Sequence, residues 1–205
     1  MSNIESKYRR KLESICNISN ALAKTKDINT FLEFVLQEAI AIINCDGGTI
    51  YHYDSHHKSL NFEITLSCSL GIHTGGTSDN PNKLKPIYLF DTDGNVNSTE
   101  VCAQAALTKK IINIKNAYEV ENNKYHGLRK FDKQFNYRTQ SILNAPFLDS
   151  ENKLLGVLQL INKFDKDQNI IAFDHLDELI IQALSAQSSM AVMYIHLLNS
   201  KYKIN

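Results

Sequence analysis

Residues 142–178 read ILNAPFLDSENKLLGVLQLINKF, then a short polar insert, then IIAFDHLDE. The reading of this stretch decides the fold. Residues 142–148 and 154–161 are each strand-length and rich in branched side chains, and the cluster Asp-Ser-Glu-Asn-Lys between them has turn composition. That pattern predicts an antiparallel hairpin, central in a sheet. Asn162 and Lys163 close its second strand, and Phe173, Asp177 and Glu178 open a long C-terminal helix on which Phe173 and Asp177, four apart, share a face. A lysine at a strand end can then meet a carboxylate on a helix packed across the sheet.

Working outward, apolar residues recur at spacings of three and four through Tyr8, Leu12, Ile15, Ile18 and Leu22, one stripe of an amphipathic helix. Asp27 caps a second helix through Phe31, Phe34, Val35, Ala39 and Ile42 that ends at Asn44. Asp46, Gly47 and Gly48 read as a turn before the strand TIYHYD. Leu60, Phe62, Ile64 and Leu66 then alternate with polar residues as a strand with one buried face. Residues 67–83 read as a long loop and residues 86–90 as a short strand. Asn97 or Ser98 caps a short helix, TEVCAQAALTK, and residues 111–114 form another strand. A polar stretch over 116–133 reads as loop with one or two helical turns. The final helix, from about Phe173, runs to roughly 40 Å at 1.5 Å per residue, longer than one small sheet can cover. The sum is an α+β fold: an antiparallel sheet, terminal helices on one face and short connections crowding the other.

The 205 residues suffice for one domain with a proper core, and 43% hydrophobic and 21% charged residues are a globular balance. Twenty-two basic residues against 22 acidic ones give no net field to draw in nucleic acid or an anionic membrane, so neither is expected as a partner. No signal peptide or apolar run of spanning length is present, which points to a cytoplasmic chain. Cys16, Cys45, Cys68 and Cys102 form no CxxC pair, so reduced thiols are expected. The seven histidines lack HExxH or another short metal spacing, and GxGxxG, GxxxxGK and GxSxG are absent. No catalytic residue, metal or cofactor is therefore expected.

Asn162, Lys163, Phe173, Asp177 and Glu178 stand at the relative spacing of a motif found in the GAF domains of cyclic-nucleotide phosphodiesterases and related cyclases. FEITLSCSLGIHTGG from Phe62, INIKNAY from Ile112, LRKFDKQFNYRTQSIL from Leu128 and GVLQLINK from Gly156 also resemble GAF modules that precede bacterial HD-GYP, cyclase or phosphodiesterase output domains. The resemblance implies a GAF domain over residues 26–200, and the single apolar stripe of the helix within residues 1–25 serves either ordinary packing on that domain or projection as a dimerisation or signalling helix. The resemblance also implies a ligand pocket on the sheet face away from the terminal helices. By the same resemblance the backbone amides of Val101 and Cys102 would hold a cyclic phosphate, which suits the positive end of a helix. Thr49, Asp132, Thr139 and Gln159 would contact base and ribose, with Phe135 among the pocket residues. The chain departs from the pattern at Glu100, where a glycine is expected, at Leu128 for a tyrosine and at Phe135 for a threonine.

The function implied is a non-catalytic regulatory module of a bacterial signalling protein, sensing a small ligand such as cyclic AMP or cyclic GMP and acting as a homodimer. Two alternatives stand beside it. One is a ligand-free dimerisation module whose pocket is filled by side chains such as Phe135 and Leu128. The other resembles the free methionine-sulfoxide reductases, with Cys102 at a helix N-terminus as a thiol of lowered pKa.

Overall fold

A computed structural model describes residues 3–25, 27–120 and 124–202. Helix α1 (Asn3–Leu22) leads into α2 (Ile28–Ile43), which opens with Asp27 accepting the Thr30 amide and ends with Asn44 in the left-handed region. Strands β1 (Cys45–Asp54), β2 (Ser59–Ser67), β3 (Ile72–Gly75) and β4 (Ile87–Tyr88) follow, then α3 (Val101–Thr108), β5 (Ile112–Ile114) and α4 (His126–Phe135). The hairpin β6 (Ile142–Leu148) and β7 (Leu154–Phe164), the short β8 (Ile170–Ile171) and α5 (His175–Tyr202) complete the chain. All strand pairs are antiparallel, in the order β3-β2-β1-β7-β6-β5, with β4 joined to β2 and β8 to β7. The expected α+β layering and the central hairpin are found.

Five local readings give way. Asp46, Gly47 and Gly48 belong to β1, not to a turn, because both edges of that strand are paired there. A Cβ on Gly47 would lie 2.3 Å from the Leu66 carbonyl oxygen and one on Gly48 would lie 2.4 Å from that of Gln159. The glycines serve close strand approach instead of a bend. The loop over 67–83 contains β3, and the stretch over 116–133 yields a ten-residue helix, α4, longer than expected. The N-cap of α3 is Glu100, since Asn97 spends its side-chain oxygen on the Thr99 amide one turn too early. Lastly, α5 begins at His175, not Phe173. Asp174 and Asp177 cap it reciprocally: Asp174 Oδ1 accepts the Asp177 amide at 3.1 Å and Asp177 Oδ2 accepts the Asp174 amide at 2.9 Å.

On one face of the sheet, Phe31, Val35 and Leu36 of α2 and Ile181 and Leu184 of α5 pack on Ile50, Ile64, Leu158 and Leu160. Alternate residues of the same strands point the other way, where Tyr51, Leu60 and Val157 meet Cys102, Ala103, Ala105 and Ala106 of α3. The alanines let α3 lie close to the strands. Ile18 of α1 is fully buried against this domain, whereas Tyr8 and Leu12 are 50% and 64% exposed.

Candidate functional site

The five motif residues all serve structure. Asn162, with φ 54°, accepts the Gln140 amide at 2.7 Å and donates to the Arg138 carbonyl at 2.8 Å, fixing the approach to β6. The Lys163 ammonium is bonded to Asp177 and, at 2.7 Å, to Asp174. Burial pulls its pKa down, but the hydrogen bonds and charges of the two aspartates outweigh that and hold it above the usual lysine value. Lys11 of α1 lies 3.6 Å from the other Asp177 oxygen. Phe173 is buried in the main core, and Glu178 accepts a 2.8 Å bond from Asn113 of β5. None of the five lines a cavity described below.

The opposite face carries the candidate site. A cavity of about 250 Å³ lies between the sheet and the starts of α3 and α4. Its floor is built by register: Thr65 of β2 is opposite Thr49 of β1 and Thr49 is opposite Gln159 of β7, while Asn144 of β6, opposite Gln159, continues the row outside the cavity lining. This places four polar side chains in one row across four strands. Tyr51 donates to Gln159 Oε1 at 3.0 Å, and Gln159 Nε2 donates to Asn144 Oδ1 at 3.2 Å, so the amide of Gln159 is held in one orientation. Phe62, Leu66 and Ile161 complete the floor and near wall, Leu128 and Phe131 of α4 form the roof, and Ile72 and Leu84 close the third side.

Of the residues implied by resemblance, Thr49, Val101, Cys102, Thr139 and Gln159 line this cavity, and so do Glu100 and Leu128. Asp132 and Phe135 do not. Asp132 is 3% exposed and engaged by the Tyr118 hydroxyl and by the amide and hydroxyl of Thr139, so it braces α4 from behind. Phe135 stacks on Phe131 at 4.5 Å, one helical turn outside the wall.

Glu100 alters the chemistry of the phosphate-type end. It gives α3 no side-chain cap; its carboxyl instead lies over α4, where a Cβ on Gly127 would come within 1.5 Å of Oε1. Only glycine at 127 leaves it that space. Burial pushes this carboxyl up to about 7 despite the pull of Lys130. Cys102 is also displaced from expectation: 1% exposed, its thiol is pushed up to about 12 by burial and then by the charge of Glu100. The helix-end lowering expected of a nucleophilic cysteine is overridden, because desolvation outweighs half a helix dipole.

Sequence reasoning missed two anchors beside the cavity. Asp46, 2% exposed, accepts from Ser67 Oγ at 2.9 Å, Ser69 Oγ at 2.9 Å, the Ser69 amide at 3.0 Å and the Tyr137 hydroxyl at 2.6 Å. Glu33 of α2 accepts the Thr77 amide at 2.7 Å and its hydroxyl at 2.8 Å and lies 3.0 Å from His73 Nε2, tying the β3 hairpin to the helix layer. An acid inside the otherwise apolar α2 stripe was the available signal for the second; Asp46 gave none, because Asp-Gly-Gly is ordinary turn composition.

A layered antiparallel sheet, with long terminal helices on one face and a cavity roofed by short helices on the other, is an architecture found in sensory and regulatory modules of signalling proteins. Residues 27–192 match the family model of the GAF domain, and the chain belongs to that family. No curated protein matches its sequence. Among solved structures it is similar to the GAF domain of a phosphoenolpyruvate-protein phosphotransferase from Coxiella burnetii, with TM-score 0.69, 13% identity, and 93% and 96% of the two chains covered. The corresponding Acinetobacter domain gives TM-score 0.66, 16% identity and coverage of 98% and 99%. A free methionine-R-sulfoxide reductase from Neisseria meningitidis gives TM-score 0.64 and 13% identity over 92% and 91%. At these identities the likeness is one of fold. Among the described residues no helix is long and apolar enough to cross a membrane, and none of the four cysteines is in a disulfide.

Proposed function

We propose that this chain is the ligand-sensing GAF module of a signalling protein, taking one compact organic molecule into the cavity and passing the event on through its terminal helices as a homodimer. The cavity itself carries the reading. Space of about 250 Å³ with a pre-oriented polar row on its floor and apolar walls is what a small-molecule site requires, and it lies just under the roughly 300–1,000 Å³ of larger ligand pockets. Leu128 stands in the roof and Phe135 outside it, so the space is not filled as a purely structural module would fill it. The raised Cys102 pKa counts against reductase chemistry.

The homodimer reading draws on α5. Leu179, Met190 and Tyr194, each about half exposed, fall with Gln182 and Ala186 on one stripe at spacings of three and four. Tyr8 and Leu12 extend the exposed apolar surface on α1, which is joined to α5 by a 3.0 Å bond from Gln187 to Ser19. The α5 stripe carries no charged residue, and the Arg9–Glu13 pair beside Tyr8 and Leu12 is internally balanced, so a two-fold copy of this surface meets no net like charge. A cyclic nucleotide is the second reading for the ligand, favoured by the position of the Val101 and Cys102 amides at the cavity edge.

A thermal-shift screen of metabolites on the whole chain and on Leu128→Trp, combined with sedimentation, tests the proposal. The expected result is a compound that raises Tm in the wild type and not in the tryptophan variant, on a dimeric background. A shift that persists in Leu128→Trp, or a monomer at high micromolar concentration, overturns the corresponding part.

A further inference from the structure

Resting on the sensor reading above, we infer that the ligand is a phosphate-free, flat nitrogen heterocycle of the nucleobase class that presents an N–H donor to the Glu100 carboxyl group.

Charge decides against a phosphate. Among the residues that line the cavity there is one acid, Glu100, and one base, Lys85. Lys85 is solvent-exposed and Glu100 is part-buried, so the acid acts through the lower dielectric and dominates inside. The carboxyl stands at the start of α3, where the helix would otherwise favour an anion, and it is turned away from its own helix amides toward Gly127. An entering phosphate would therefore meet a like charge beside the start of α3, which has no side-chain cap. A donor group meets the opposite situation, because a part-buried carboxyl with no side-chain capping role gains a charge-assisted hydrogen bond when an N–H arrives. Burial raises the pKa of this carboxyl to about 7, and a donor ligand, by favouring the charged form, offsets that desolvation cost.

Shape and floor chemistry narrow the donor to a ring. Aromatic side chains stand on two walls, Phe62 from β2 and Phe131 from α4, and Tyr51 packs 4.9 Å from Phe62 at a tilt that extends the same surface. Such walls take a flat π-system in preference to a bulky saturated one. On the floor Gln159 is locked by Tyr51 and Asn144, leaving one amide hydrogen and one lone pair uncommitted. Thr49 beside it contributes a hydroxyl that is both donor and acceptor. A paired donor and acceptor on the floor and a carboxyl at the start of α3, all lining one cavity, match the edge pattern of an aminopyrimidine or purine. At about 250 Å³ the space admits a base and excludes a dinucleotide.

The experiment is calorimetric titration of the full chain with adenine, cytosine, cyclic AMP, cyclic GMP and inorganic phosphate, repeated on Glu100→Gln and Glu100→Asp. A base is expected to bind the wild type, to lose about tenfold in affinity with the neutral glutamine, and to lose less with the shorter carboxylate. Phosphate and both cyclic nucleotides are expected to give no heat. Equal or tighter binding of a cyclic nucleotide overturns the inference, as does a base affinity that Glu100→Gln leaves unchanged. Silence of both bases overturns it as well. In that case a hit of another class in the metabolite screen leaves the sensor reading standing, and a silent screen removes both.

Discussion

The two faces of the sheet are built from the same strands and differ in kind. On the helix face, Ile50, Leu158 and Leu160 disappear under α2 and α5, and the charges at its edge are paired, Lys163 with Asp174 and Asp177. On the cavity face, the residues between them, Thr49, Tyr51 and Gln159, stand under two short helices that leave space uncovered, and the acid Glu100 is in no ion pair among the described residues, Lys130 acting on it only through its charge. The helix face gathers the terms that stabilise the domain, and the cavity face accepts polar groups and unfilled volume that a core would not.

Three substitutions can break or sharpen that contrast. The largest effect is expected from Lys163→Ala, which leaves Asp177, 0% exposed, with the Asp174 amide and, as its one remaining cation among the described residues, Lys11 at 3.6 Å. Removing one partner of a buried pair costs about 3–5 kcal/mol. At roughly 2–4 °C per kcal/mol for a chain this size, Tm should fall by about 10 °C or more. A calorimetric scan within a degree or two of wild type would mean the stabilising terms are not concentrated on that face.

Glu100→Gln should act in the opposite direction and with pH. The folded carboxyl titrates at about 7 against an ordinary value of 4.5, so its contribution is fully present below about 4.5 and lost as pH rises through about 7. Lys130 of α4 offsets part of this, and Tyr51 and Cys102 facing it from β1 and α3 are neutral at these pH values. The glutamine variant should therefore be more stable than wild type at pH 8, by about 1–2 kcal/mol after allowance for solvent screening, and should show no advantage at pH 4. Parallel melting curves at pH 4, 6 and 8 decide it; equal stability at pH 8 would mean the cavity face carries no strain from this acid.

The smallest effect is expected from His73→Ala. His73 is half exposed and Glu33 keeps both bonds to Thr77, so the loss should be about 0.5 kcal/mol or less. Hydrogen exchange over residues 72–77 should rise while α2 is unchanged. Increased exchange in α2 as well would show that the two faces are coupled through this contact.

What was legible in the sequence follows the same division. The helix face declares itself by period, since Phe31, Val35 and Ala39, or Leu158 and Leu160, repeat at the spacing their burial demands. The cavity face does not, because Thr65, Thr49, Gln159 and Asn144 become neighbours only through the register of strands far apart in the chain. Its lining residues were reached through resemblance, and Asp132 shows the limit of that route: it sits at the expected position and serves the loop behind the wall. Helix α4 was underestimated although Leu128, Phe131 and Phe135 are spaced by three and four, because the polar residues around them dilute the apolar signal. Asp46 was lost to a local rule, the turn propensity of its two glycines, that long-range pairing overrides.

The pairing of β1 with β7 also sets an order of events on the ribosome. Tyr51 and its hydrogen-bond partner Gln159 are 108 residues apart, so when β1 and β2 have emerged and closed their hairpin, the other edge of β1 has no strand to join. At about 5–20 residues per second, those partners arrive roughly 5–20 s later. Through that interval an apolar segment, Ile50 included, presents open backbone groups to the cell, and only α2 is available to cover one of its faces. The nascent chain depends on its second helix as a temporary shelter until the last third of the polypeptide is made.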